Sequence, residues 1–583
     1  MQTIFHPWSL TLEVQFLYIN GRDSSIRDSS RCALSASSVC SYTRDNTYWL
    51  IMTSMAHLQA ELLQNPDRIK VNTQYGQVTG GRANTGAVAF LEIPYALPPG
   101  RFQDPQSLPP SYRYEDKEYL YEASYCAQPK KEQQIAGAQY VNIVGLGKPT
   151  ENPLFVNIVC PPDFEPGWNR KYPVKVYIHG GFLQLGSPHE LNSQAQYIAA
   201  ERSEVWVNIG YRVSVFGFLA SDEPKLSGNY GFKDQWLALL WIRDNIERFG
   251  GDPNNIQITG LSGGGHSVQQ ILHHVSRGCL PQAPFQSAVI QSNGILTNPK
   301  TPSERRPQFE ALCRSLGLDP RSPTILDQLR DPIALPWQRL THVIETGEIG
   351  ATFDTFRGTL DGAQWLADDP DPMTWQRSGA FARALRDKGV RSVVVGDLPD
   401  EWFVYGKTHA VSSLTDVETN LLKYYRADVV TDLLASHDIP QGLEEDGNEL
   451  RKFMGMVLAD GQAHMPTRLL ARDLIGVGFP VLRYAINWLP KRVLYPAGYV
   501  SHGLDRVIWA YRRALLEQSE VPVVLGWLNA VDAQRQTIEA GMNSEAKNMR
   551  RVFALKKDGS WGWKNDERWD EVMEMVQTLP GQA

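Results

Sequence analysis

Hydrophobic and polar positions alternate along residues 69–82, IKVNTQYGQVTGGR, at the period of a half-buried strand, and the pair Gly80-Gly81 predicts a hairpin turn there. The next run, AVAFLEIPYALPPGRF, predicts a strand closed by its prolines. From residue 171 to 300 two kinds of segment alternate. KYPVKVYIHGG, VWVNIGYRVSVFGFLA, NNIQITG and FQSAVIQSNG are short, mostly apolar runs that predict strands buried on both faces. Between them, SQAQYIAAERS, DQWLALLWIRDNIERFGG and GGGHSVQQILHHVSRG carry apolar residues at helical spacing, the second stopping on Gly250-Gly251 as a helix C-terminus does. Buried strands alternating with helices imply an α/β fold: a large, mostly parallel sheet wound by right-handed crossovers, helices on both faces, and a small antiparallel sheet at its N-terminal side.

Ordered-looking sequence starts at HLQAELL, residues 57–63. Residues 1–54 are rich in Ser and Arg without sustained periodicity, and are expected to be a disordered extension or to lie upstream of the true start; residues 55–583 are expected to form a single domain. SLTLEVQFLYI is interrupted by Glu13 and makes a poor secretory core, and YWLIM is far shorter than the about 20 apolar residues that cross a bilayer, so no membrane span is expected. The net charge of −7 argues against nucleic-acid or anionic-membrane partners, which need a basic face. The six cysteines show no zinc-like spacing and the chain has no N-x-[ST] acceptor, so no metal is expected and a cytoplasmic location is favoured. Nothing in the sequence sets the oligomeric state.

Candidate chemistry enters at ITGLSGGGHS, residues 258–267. Gly260-Leu261-Ser262-Gly263-Gly264 fits G-x-S-x-G between a predicted strand, Ile256 to Thr259, and a predicted helix, Gly264 to Ser276. Such a turn holds a serine in a strained conformation with its hydroxyl presented at the carboxyl end of the sheet. A serine nucleophile needs a histidine base, a carboxylate to orient that histidine, and backbone N–H groups for the oxyanion. The glycines after YIH, residues 177–179, can supply such amides. For the base, His266, His273 and His274 read as packing residues, while both His502 and His464 remain open, and many carboxylates fit the acid's place by spacing alone.

These segments resemble the type-B carboxylesterase/lipase family, which includes the cholinesterases. Gly260-Leu261-Ser262-Gly263-Gly264-Gly265 is similar to that family's G-E-S-A-G-G, GNYGFKDQWLALLWIRDNIERFGGDPNNI to its most recognisable internal block, and FLEIPYALPPGRF to its F-x-G-I-P-Y-A segment. The resemblance implies an α/β-hydrolase fold. It places the acid at Glu401, in VVVGDLPDEWFVYG, and the base at His502, in SHGLDRV, with His464 in a structural helix. It implies an oxyanion hole from the amides of Gly181, Phe182 and Gly263, where Phe182 replaces the family's third glycine and narrows or redirects the pocket. Leu261 replaces the family's Glu, which disfavours cationic substrates; Phe182 and Leu261 together suggest an apolar pocket. Pro153 stands where the disulfide partner of Cys126 would be. Arg101 and Glu151 resemble a structural ion pair.

The expected protein is therefore a serine carboxylic-ester hydrolase that works through an acyl-enzyme, without metal or organic cofactor. Its expected substrate is a neutral hydrophobic ester or lactone, such as a secondary-metabolite intermediate. An acyl transferase using the same triad and a non-catalytic binding protein are the alternatives.

Overall fold

In the computed structural model the described residues are 56–130, 144–362, 364–439, 442–443, 446–494 and 498–582, so the expectation for residues 1–54 lies outside them. Twelve strands make one sheet among these residues. They are β1 (Arg68–Thr73), β2 (Gly76–Arg82), β3 (Val88–Pro94), β4 (Phe155–Cys160), β5 (Tyr172–Ile178), β6 (Val205–Ile209), β7 (Gly251–Leu261), β8 (Ser287–Gln291), β9 (Ser392–Asp397), β10 (Val481–Ile486), β11 (Arg551–Leu555) and β12 (Trp561–Asn565). Their order in space is β1-β2-β3-β4-β6-β5-β7-β8-β9-β10-β11-β12. Neighbours from β6 to β11 run parallel; β1 to β4 on one side and β12 on the other are antiparallel. The antiparallel N-terminal strands thus continue the main sheet, and a separate small antiparallel pair joins Ala96–Leu97 to Gln106–Ser107.

The parallel strands are buried along almost their whole length, as their apolar runs require. Alternate residues feed two cores. Val174, Val176 and Ile178 of β5 pack in one with α1 (Tyr230–Asn245) and α2 (Gly263–Arg277), whereas Tyr177 joins the other with the helix Val521–Glu539. A third cluster gathers the helices above the carboxyl ends, including α4 (Trp402–Thr408), α5 (Gly447–Ala459) and α6 (Met465–Ile475); α3 (Pro302–Ser315) follows β8.

Two expectations fail locally. The hairpin turns at Thr73–Gly76, not at Gly80-Gly81: Gly80 pairs with Ile69 inside β2. Those glycines mark a close approach, since a Cβ on Gly80 would lie 2.5 Å from the Ala89 carbonyl oxygen. The apolar run VWVNIGYRVSVFGFLA is a strand only as far as Ile209; Ser214–Phe218 is a fully buried helical turn. A short run buried all round carries no period that separates strand from helix.

Candidate active site

The chain leaves β5 toward β6 on one side and later returns through β7 to β8 on the other. The carboxyl ends of β5 and β7 are therefore the sheet's topological switch point, where α/β proteins open a crevice. Ser262 follows β7 there, with φ +57° and ψ −124°, a conformation that costs an L-residue about 1–3 kcal/mol. The glycines make the turn possible. A Cβ on Gly260 would lie 2.2 Å from the Gly264 carbonyl, and one on Gly264 would lie 2.1 Å from the Ile178 carbonyl oxygen. The Ser262 amide donates to the Gln291 carbonyl at 2.9 Å, which ties the elbow to β8.

The loop after β5 lies against this serine: a Cβ on Gly180 would be 3.1 Å from the Ser262 Cβ. Gly181, Phe182 and Leu183 all have positive φ, at 102°, 58° and 67°. Their amides and that of Gly263 donate to no protein acceptor among the described residues. The amides of Phe182 and Leu183 face the first turn of α2, 3.2 and 3.0 Å from where a Cβ on Gly263 would sit. The Leu183 amide was not among the expected donors. Directly beneath, His179 stacks on Tyr211 at 4.3 Å, and burial pushes it down to about 4, so it stays neutral.

Glu401 follows β9 and His502 lies beyond β10. His502 Nδ1 donates to Glu401 Oε2 at 2.6 Å, and Glu401 Oε1 accepts the Leu398 amide at 2.9 Å. An ionised carboxylate only accepts, so the proton sits on Nδ1 and Nε2 keeps its lone pair. Nε2 is buried and makes no hydrogen bond among the described residues; it is not bonded to Ser262 in this state. Apo triads tighten on substrate binding. The two loops are joined by bonds that spacing alone did not signal. The Asp400 amide donates to the Val500 carbonyl at 3.2 Å, the Val500 amide to Asp400 Oδ2 at 2.9 Å, and the Val404 amide to Ser501 Oγ at 3.3 Å. Behind them α4 meets α5 at glycines: a Cβ on Gly455 would lie 2.3 Å from the Trp402 carbonyl oxygen. Asp505 lies near enough to Glu401 that burial, and then that charge, push it up to about 7.

His464 belongs to a second pair, with Nδ1 2.6 Å from Asp397 Oδ2. His266, His273 and His274 pack as expected; the last two stack on Phe381 and Trp365 at 4.3 and 4.1 Å. Arg101 Nε donates to Glu151 at 2.6 Å and its Nη1 to the Leu329 and Leu335 carbonyls, a structural clamp. Cys126 is a free, buried thiol.

Leu261 is buried in the sheet's second core, its Cδ2 3.6 Å from where a Cβ on Gly503 would be, so the residue beside the serine packs against the residue beside His502. Phe182 takes part in an aromatic collar with Tyr405, His409 and Tyr424 at 5.8 to 6.3 Å, and Tyr405 lies 4.7 Å from His502. Phe182 and Tyr424 also border a cavity of about 660 Å³ whose other walls include Ile344, Asp354 and Lys423. No helix among the described residues is long and apolar enough to cross a membrane. Nor do three or more His, Cys, Asp or Glu side chains there gather to hold a metal ion.

A nucleophile-elbow serine at the switch point of such a sheet, with unpaired amides on one side and a His–Glu pair beyond, defines an α/β-hydrolase. The chain belongs to the carboxylesterase family, whose model matches residues 67–505, a span that includes Ser262, Glu401 and His502. It is 30% identical over 527 residues to an uncharacterized esterase/lipase of Schizosaccharomyces pombe, covering 84% of this chain and 92% of that one. It is 29% identical over 521 residues to a carboxylic ester hydrolase of Gibberella moniliformis, covering 82% and 87%. The para-nitrobenzyl esterase of Bacillus subtilis is 27% identical over 452 residues, covering 75% and 81%. A solved structure of a PNB esterase superposes with a TM-score of 0.66 at 23% identity, covering 88% of this chain and 100% of that one, which shows the shared fold.

Proposed function

We propose that the protein hydrolyses carboxylic esters through an acyl-enzyme on Ser262. The observation that carries the reading is the buried His502–Glu401 pair, whose unpaired Nε2 belongs to the residue next to Gly503, itself in contact with Leu261 beside the serine. His502 Nε2 takes the Ser262 proton as Oγ attacks the ester carbonyl, and Glu401 stabilises the imidazolium. The amides of Gly181, Phe182 and Gly263 receive the oxyanion. His502 then returns the proton to the leaving alcohol. Water, activated in the same way, attacks the acyl-enzyme, releases the acid and restores the serine hydroxyl. The aromatic collar supports a substrate with a hydrophobic body, an ester or lactone of the kind secondary metabolism produces. The free thiols at Cys126, Cys160, Cys279 and Cys313 suit a reducing, cytoplasmic compartment.

The test is a fluorophosphonate label read by peptide mass, together with Ser262→Ala. A single adduct on Ser262 is expected, and the variant should lose ester hydrolysis by about 10⁴-fold or more while unfolding at the same temperature. Labelling elsewhere, or a variant retaining a tenth of the activity, would refute the assignment.

A further inference from the structure

Beyond the collar lies a second, smaller cavity of about 40 Å³, lined among others by Lys300, Arg305, Arg357, His266, Tyr424 and Gln462. Its charge is one-sided. Arg305, on the first turns of α3, is 6% exposed, and Arg357 is 9% exposed. Among the described residues neither guanidinium donates a hydrogen bond or forms an ion pair, and Arg305 Nε is a buried donor without a partner there. Arg357 instead lies over the Tyr424 ring at 5.1 Å. Among the described residues Lys300 Nζ reaches only the Leu422 carbonyl, at 3.0 Å.

Among the described residues no carboxylate forms an ion pair with any of the three. Glu304, the acid that acts most directly on Arg305 and Lys300, is held in the α3 capping box by the Thr301 amide at 2.7 Å and hydroxyl at 3.0 Å. Burial, and then Arg357, push Arg305 down to about 10; burial, and then Arg305, push Lys300 down to about 8. Burial and Arg357 likewise push His266 down to about 3, so it is neutral. A buried, unpaired charge costs several kcal/mol. Two unpaired arginines and a lysine around one small cavity are thus a preformed seat for an anion. About 40 Å³ admits one planar carboxylate, which a guanidinium binds through two parallel bonds.

The cavity adjoins the reaction centre. Tyr424 lines it and also joins the collar with Phe182, and Tyr405 of that collar touches His502. His266 stands one helical turn beyond Ser262.

We propose that Lys300, Arg305 and Arg357 bind a carboxylate carried by the ester substrate itself, so that the preferred substrates are esters bearing a second, acidic group, such as half-esters of dicarboxylic acids. This rests on the reading of Ser262 as nucleophile, and it replaces the neutral ester suggested by Leu261 and Phe182.

The experiment has two arms on the full chain. In the first, mono-p-nitrophenyl glutarate is compared with p-nitrophenyl butyrate for the wild type, Arg305→Met, Arg357→Met and Arg305→Lys. The Met variants should lose about tenfold or more in kcat/KM for the acidic ester, with the neutral ester changed less than about twofold, and Arg305→Lys should recover part of the loss. In the second arm, thermal unfolding is followed with sodium glutarate against sodium chloride at equal ionic strength. Glutarate should raise the wild-type Tm and leave Arg305→Met unmoved; without glutarate, Arg305→Met should unfold no lower than the wild type. A glutarate shift without selective loss of the acidic ester would overturn the assignment to the substrate and make a free anion the occupant. Equal loss on both esters with no glutarate shift would overturn the anion site. If the wild type cleaves neither ester, the Ser262 reading falls, and the Tm arm still decides the anion site.

Discussion

Two histidine–carboxylate pairs stand at the carboxyl end of one strand, β9. His502 with Glu401 and His464 with Asp397 both close at 2.6 Å, and both are buried. They differ in what else the carboxylate touches. Asp397 Oδ2 also accepts Arg468 Nη1 at 2.5 Å, and Arg468 continues to Asp566, which Arg483 holds in turn. Among the described residues Glu401 has only the Leu398 amide besides its histidine. The charge of Asp397 is already committed to a cation, whereas that of Glu401 has no permanent cationic partner among the described residues and can stabilise an imidazolium that forms and disappears. A His–carboxylate distance therefore does not distinguish the two pairs; the carboxylate's remaining partners do.

The sharpest way to break this comparison is to neutralise each acid in turn. Glu401→Gln should lower kcat by about 10⁴-fold, because the amide no longer fixes the Nδ1–H tautomer, with little change in Tm. Asp397→Asn should do the reverse: a loss of about 3 kcal/mol or more in urea unfolding, since Arg468 and Asp566 lose their balance, but kcat within about tenfold. Similar kinetic losses in both variants would show that the Asp397 network takes part in catalysis.

The same contrast explains what could be read from the sequence. The elbow was legible because its requirement is local: small residues at 260 and 264, where strand and helix backbones nearly touch. The parallel strands were legible because burial on both faces leaves an unbroken apolar run. The choice between His502 and His464 was not available from either residue's neighbours, because each partner acid lies more than 60 positions away; only family resemblance favoured His502. The Asp400–Val500 bonds gave no signal at all, being made largely by backbone. Arg305 was equally silent, since a helix such as PSERRPQFEALCRS looks like an ordinary solvated surface.

Acid pH sharpens the comparison next. Burial alone would raise the Asp397 pKa, yet Arg468 and His464 outweigh it and hold the group well below the usual carboxylate range. Its folded pKa is thus lower than its unfolded value of about 3.9, so its stabilisation is complete above that pH and disappears as pH falls toward the folded value. Stability of the wild type should decline between pH about 5 and 2, and Asp397→Asn should flatten that limb. Parallel limbs in the two proteins would remove Asp397 from the account.

A smaller effect is expected at Asp400, which joins the acid loop to the base loop through Val500. Asp400→Ala leaves the Val500 amide unpaired and lets His502 drift from its line with the serine, so kcat should fall by about tenfold with KM nearly unchanged. Asp400→Asn keeps an acceptor and should restore most of it. A fall in KM-dependent terms alone would mean that the joined loops shape the pocket rather than the pair.

The smallest change separates the ring of Tyr405 from its hydroxyl. The ring centroid is 4.7 Å from that of His502, while the hydroxyl is buried with no partner among the described residues. Burying an unpaired hydroxyl costs about 1–3 kcal/mol, so Tyr405→Phe should keep kcat within about twofold and raise the unfolding midpoint slightly. Tyr405→Ala removes the wall that keeps the imidazole facing Glu401 and should cost far more in both. If Tyr405→Phe instead lowers kcat by tenfold, the hydroxyl reaches the reacting atoms once substrate is bound, and the Glu401–His502 pair works with a further polar neighbour.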